Sequence, residues 1–213
     1  MTTKPYSPFC VVILVAALMV LTGCFGKSQP SRFYTLTAEA QRQLAVSPGI
    51  AARNAAVGIG PIQIADYLDQ SKIVNRSSEN RIEQAEYDQW AGSFEDNLTQ
   101  VLAENLGFLV PTERIYLYPW RTSLPIDYQV VLDIIRCDGR LGETVRLVAR
   151  WSVLSGEEKK VIAMKRSSID ETVSGTDYDA LVAAQSRALA KLCREIAVAI
   201  HAASPERSPE LEN

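Results

Sequence analysis

Residues 128–139 read YQVVLDIIRCDG and residues 144–154 read TVRLVARWSVL, and these two stretches decide the fold. In the second, Val145, Leu147, Ala149, Trp151 and Val153 share one parity, while Arg146, Arg150 and Ser152 share the other with Val148 and Leu154. Alternation at period two marks a strand with one buried face. The first stretch is rich in β-branched residues over 128–137, and Asp138-Gly139 after it is a turn signal. The pair reads as an antiparallel hairpin whose apolar face must be covered.

The cover lies on both sides in sequence. Downstream, the polar stretch 156–160 (GEEKK) predicts a turn and 161–169 a further strand. Beyond it Tyr178, Leu181, Val182, Leu189, Leu192, Cys193, Ile196 and Ile200 recur at helical spacing, with Asp177 as N-cap and an end near Ala203. Upstream, Phe94, Leu98, Val101, Leu102 and Leu106 form a second one-sided helix, with Gly107 placed just past its end as a C-cap. Strands are predicted at 32–36 (RFYTL), 57–64 (VGIGPIQI, interrupted by Pro61), 73–76, 81–90 and 115–120 (IYLYPW), with a hairpin turn at 77–80. The Ala/Gln-rich stretch after residue 36 reads as a loop or weak helix ended by Pro48-Gly49. The fold class is therefore α/β in the α+β sense: a mixed β-sheet of about seven or eight strands packed against two long amphipathic helices.

The N-terminus has a different character. Residues 9–21 (FCVVILVAALMVL) are an uncharged apolar run of 13 residues preceded by Lys4. That is too short for a bilayer span of about 20 residues and suits an export-signal core. Leu21-Thr22-Gly23-Cys24 follows, with the pattern of a bacterial lipobox: a large apolar residue, two small ones, then the Cys whose thiol takes a diacylglyceryl group after cleavage before it. Two or more acyl chains give stable anchoring where one gives only marginal attachment. The expected organisation is a signal peptide over 1–23, a lipidated tether over 24–31, one domain over 32–203 and a disordered tail over 204–213. Residue +2 after Cys24 is Phe25 and not the Asp that retains lipoproteins at the inner membrane of enteric-type bacteria, so outer-membrane delivery facing the periplasm is expected.

Composition excludes several functions. A formal charge of −3 with 22 Lys plus Arg against 25 Asp plus Glu argues against a nucleic-acid binder, which needs a dense basic stripe. A single His, His201, rules out a His-rich metal site, and no metal or cofactor is expected. The stretch Gly58-Ile59-Gly60-Pro61-Ile62-Gln63 opens like a dinucleotide loop, but Gln63 replaces the third Gly and Pro61 removes an amide donor. GxSxG, HExxH, CxxC and GxxxxGK[ST] are absent. His201 stands alone at a helix end, and Asp66, Asp69, Glu83 and Glu86 are no more carboxylates than an acidic surface carries. In an oxidising compartment Cys137 and Cys193 could form a disulfide, or remain two buried thiols; both alternatives are open. Tyr116, Tyr118 and Trp120 are three aromatics of one parity before a Pro-bounded loop, which fits either a partner-contact surface or core packing of one strand face.

LTGC at 21–24, RFYTL at 32–36, VGIGPIQIADYLDQSKIVNR at 57–76, EYDQWAGSFEDNLTQVLAENL at 86–106 and YPW at 118–120 together resemble the ABC-type transport auxiliary lipoprotein family. The resemblance covers roughly 32–200. It implies a non-enzymatic, outer-membrane-anchored periplasmic lipoprotein, lipidated at Cys24, that assembles as a homo-oligomeric ring on an MCE-domain protein of a lipid transport system. It supplies no catalytic residue. A periplasmic lipid or cell-wall hydrolase and an outer-membrane assembly chaperone are the alternatives.

Overall fold

Among the described residues, eight strands and two helices follow one another in the order β1 (Arg32–Tyr34), β2 (Val57–Ile64), β3 (Lys72–Ser78), β4 (Arg81–Trp90), α1 (Phe94–Leu109), β5 (Ile115–Leu117), β6 (Tyr128–Gly139), β7 (Thr144–Ser155), β8 (Val161–Thr172) and α2 (Tyr178–Ala203). This computed structural model describes residues 9, 29–39, 54–120, 124–156 and 158–203. The chain divides into two compact units, Met1–Pro30 and Ser31–Asn213, and the fold is that of the second. The signal over 1–23, Cys24, the Pro48-Gly49 stop and the tail over 204–213 lie outside the described residues. Among the described residues no helix is long and apolar enough to cross a membrane.

The α+β class holds, but the strands form two mixed sheets and not one. The larger has the order β5-β2-β6-β7-β8 and the smaller β1-β4-β3. β2 runs parallel to both β5 and β6, so both of its edges are taken. The β3–β4 hairpin that follows β2 in sequence therefore has no edge of β2 to join. It pairs instead with β1, in parallel, through Arg32↔Asp88, Phe33↔Gln89 and Tyr34↔Trp90.

The central alternation is realised as read: Val145, Leu147, Ala149, Trp151 and Val153 are all buried. α2 covers that face, lying against β6, β7 and β8 and against α1. Its N-cap is Asp177, whose Oδ1 accepts from the Ala180 amide at 2.9 Å. α1 starts behind Ser93, whose hydroxyl accepts from the Asp96 amide at 3.2 Å. One hydrophobic core draws on both sheets and both helices, from Leu36 and Ile73 to Leu102, Leu132 and Leu192.

Two boundary expectations are corrected. Gly107 is inside α1, which runs on to Leu109 and ends at Val110, whose amide bonds the Leu106 carbonyl. A Cβ at Gly107 would sit 3.7 Å from Ile115, an ordinary packing distance, so no close approach there requires glycine. Asp138-Gly139 is not a turn but the end of β6; the hairpin turns over residues 140–143. Asp138 stays in the strand because Arg76 holds it there.

A short strap ties the N-terminal strand to the helices. The Leu36 amide donates to Asn97 Oδ1 at 2.7 Å, the Thr37 amide to Ser186 Oγ at 3.1 Å and the Glu39 amide to Asn105 Oδ1 at 3.1 Å. Leu36, Thr37 and Glu39 thus satisfy their backbone donors from both helices.

Candidate functional site

The glycines of VGIGPIQI have a steric purpose. A Cβ at Gly60, whose φ is +118°, would lie 2.6 Å from Tyr118 Cβ, and one at Gly58 would lie 3.0 Å from the tip of the Trp120 ring. Glycine is the residue that combines such a φ with such a close approach. β5 is the neighbour of β2, with Gly58 opposite Tyr116, and the Tyr118 amide continues the pairing by donating to the Ile59 carbonyl at 2.9 Å. The two glycines form a shelf on which the aromatic segment after β5 lies. The resemblance to a nucleotide loop is thereby explained as strand packing.

The three aromatics differ in exposure. Tyr116 and Trp120 are half-buried, whereas Tyr118 is 56% exposed. Tyr118 meets Trp120 edge-on, with ring centroids 5.5 Å apart at 85°. The chain reaches this ridge from a third side: Lys159 Nζ lies 5.9 Å from the Trp120 centroid and donates to Gln129 Oε1 at 2.8 Å, while Gln129 Nε2 donates to the Gly60 carbonyl at 2.8 Å. A cation near an indole and an exposed phenol edge suit recognition of another molecule's surface.

Of the other sequence candidates, His201 Nε2 lies 3.0 Å from the Leu109 carbonyl at the end of α1, where it joins the two helix ends. Asp66 and Asp69 line an open groove with Glu95, while Glu83 and Glu86 are exposed on β4 and Glu83 pairs with Arg81. Among the described residues no three His, Cys, Asp or Glu side chains gather as a metal site. Cys137 and Cys193 are both buried, free thiols with no bridge between them. Burial pushes the Cys137 thiol up to about 12 and the Cys193 thiol higher still, so neither is a nucleophile at neutral pH.

Two buried carboxylates escaped the sequence reading. Asp138 accepts from Arg76 Nε and Nη2 at 2.7 and 2.8 Å, from the Tyr67 hydroxyl at 2.6 Å and from Arg136 Nε at 3.0 Å. Burial alone would raise its pKa, but the Arg76 and Tyr67 hydrogen bonds and the Arg136 charge outweigh it, and the carboxyl is held below its usual range. Asp88 accepts from Arg32 at 2.7 and 2.8 Å and from the Tyr34 hydroxyl at 2.7 Å, and the same balance lowers it. These groups fasten the small sheet: Asp88 ties β1 to β4, and Asp138 ties β3 to β6.

Residues 34–197 match the family model described as an ABC-type transport auxiliary lipoprotein component. The chain belongs to this family. The match begins in β1 and ends near the close of α2, so the ridge, both sheets and both helices are family structure. No curated protein matches the chain. Among solved structures, a crystal structure of a Xanthomonas campestris protein superposes with a TM-score of 0.65 at 17% identity, over 81% of this chain and 97% of that one. A crystal structure of an uncharacterized protein gives a TM-score of 0.64 at 16% identity, over 81% and 99%. At such identity both establish the fold alone.

Proposed function

We propose that this auxiliary lipoprotein is a non-enzymatic accessory subunit of an intermembrane lipid transport system, anchored in the outer membrane by acyl chains on Cys24 and docked through the ridge of Tyr116, Tyr118 and Trp120 onto an MCE-domain partner. Copies of the chain gather as an oligomer around that partner's end. The observation that carries the docking is the ridge itself: Tyr118 is exposed while its backbone and its neighbour Trp120 are fixed by the glycine shelf. Rigid aromatics with a wet edge are the side chains most enriched at interface hot spots. The hydrolase alternative has no support among the described residues, where His201 faces a helix carbonyl and Asp66 sits in an open groove.

The test is site-specific photocrosslinking in cells, with the probe amino acid at Tyr118 or Trp120 of the full chain and at exposed Ile82 as control. An adduct containing an MCE-domain protein from the ridge positions, and none from Ile82, is the expected result. Absence of that adduct at both ridge positions would rule the surface out. A Cys24→Ala arm should shift the protein from the membrane to the soluble fraction; persistence in the membrane would remove the anchor from the proposal.

A further inference from the structure

β8 ends the larger sheet, and no strand lies on its far side among the described residues. It is 12 residues long, so a long row of backbone donors and acceptors faces outward. The other ends of the two sheets are poorer templates. β5 and β1 have three residues each, and β3 is broken by two register shifts. The long edge is also held rigid from below. Ser167 accepts from Trp151 Nε1 at 2.9 Å and donates to Glu195, Lys165 lies 3.0 Å from Glu195, and Glu171 pairs with Arg187 and Lys191.

Its sequence is charge-antisymmetric. Residues 165–171 read KRSSIDE, with two cations and two anions placed equally about Ser168. Pairing with Trp151 and Val145 puts Lys165 and Glu171 on the helix-covered face, and pairing with Arg150 and Arg146 puts Arg166 and Asp170 on the open face. An antiparallel copy of the same strand, crossed at Ser168, therefore sets Lys165 opposite Glu171 and Arg166 opposite Asp170, each twice and each on its own face. Arg166 is exposed and has no acidic partner among the described residues, whereas Asp170 holds Arg146 at 2.7 and 2.8 Å and its side chain is half-exposed. The same register lays Thr172 of the second copy across Met164, which is 74% exposed. On α2, Val198 lies on the stripe of Lys191 and Glu195, the residues that flank β8, and is 66% exposed.

We propose that β8 pairs antiparallel with β8 of a second copy of this chain, about a two-fold axis at Ser168, joining two five-stranded sheets into one of ten. This goes beyond the accessory-subunit reading and does not rest on it. A two-fold contact closes on two copies, so it sets a dimer, and any ring would use a further contact.

The test uses the full chain in mild detergent, followed by sedimentation velocity over a concentration series. The wild type should show a dimer. Arg166→Asp should weaken it about tenfold or more, since two attractive cross-strand pairs become repulsive. The double variant R166D/D170R should restore it. In parallel, Ser168→Cys should give a disulfide-linked dimer on mild oxidation, because the two Cα atoms would lie about 5 Å apart. Thr172→Cys should not, its mate being about 27 Å along the strand. All four substituted residues are exposed, so folding is checked by circular dichroism and is expected to be unchanged. A monomer at all concentrations, a dimer indifferent to Arg166→Asp, or no crosslink at Ser168→Cys each overturns the pairing. A ridge crosslink to the MCE partner that survives in R166D would show that only the self-contact had failed.

Discussion

Asp138 is fully buried and shared by two arginines and a tyrosine, with the Arg76 side chain only 15% exposed. Breaking such a group from one side leaves an uncompensated charge, which costs about 3–5 kcal/mol. Asp138→Asn should therefore lower the free energy of unfolding by about that amount, whereas Glu83→Gln, in an exposed pair with Arg81, should change it by less than about 1 kcal/mol. The pH dependence has a definite sign. Because the folded carboxyl titrates below its unfolded value of about 4, its contribution is complete above that value and is lost as pH falls below it. Urea titrations across the acid range should show a steep decline for the wild type that is shallower in Asp138→Asn; equal slopes would contradict the assignment. This residue also marks where the sequence misleads. Asp-Gly between two apolar runs is a turn signal on local grounds, whereas the long-range partners Tyr67 and Arg76 and the pairing with Arg146 on β7 hold Asp138 in the strand. Tyr116, Tyr118 and Trp120 share one parity in the sequence, which leaves surface and core packing both open; in the fold Tyr118 is exposed while Tyr116 and Trp120 are half-buried.

Among the elements, the helices and the β6–β7–β8 meander are readable from periodicity because each buries a single face and pairs with a sequence neighbour. The division into two sheets is not readable. β1 pairs with β4 across 56 residues, and nothing in RFYTL states whether its partner is β4 or β2. What decides is that β5, whose stretch 115–120 reads as a strand without stating its partner, already occupies the free edge of β2. The β2–β5 contact can be tested at Gly60. A methyl group there would meet Tyr118 Cβ at 2.6 Å and would have to adopt a φ of +118°. The cost of forcing a side chain into that backbone region is about 1–3 kcal/mol. Gly60→Ala should therefore destabilise the domain by that order and displace the segment carrying Tyr118 and Trp120, seen as a changed Trp120 emission relative to a Trp120→Phe control. Gly92, where a Cβ would meet nothing within 4 Å, is the matched comparison, and its Ala variant should leave both stability and emission near wild type. An unaltered ridge signal in Gly60→Ala would mean that the shelf does not position the aromatics.

At the scale of the molecule, the two sheets could unfold as separate units or as one. The smaller sheet has only three strands, one of them three residues long, which is too little to bury a core of its own. Its inward residues Ile73, Val74, Ala85 and Trp90 instead belong to the same hydrophobic cluster as α1, α2 and the inner face of the larger sheet. The strap over 36–39 adds three amide bonds to side chains on both helices, and Leu36 is buried in the shared core. With the core shared in this way, neither sheet keeps its contacts when the other is lost, so unfolding should be a single cooperative transition. Trp90 lies in the smaller sheet and Trp151 in the larger, which gives each its own reporter. Emission from variants retaining only Trp90 or only Trp151, and far-ultraviolet circular dichroism of each, should give one common urea midpoint within each variant. Leu36→Ala should lower every one of these midpoints together, by an amount equivalent to about 2–4 kcal/mol. If the Trp90 signal instead melts ahead of the circular dichroism, or Leu36→Ala moves only the Trp90 midpoint, the smaller sheet is an independently unfolding unit and the shared core does not bind the two sheets into one.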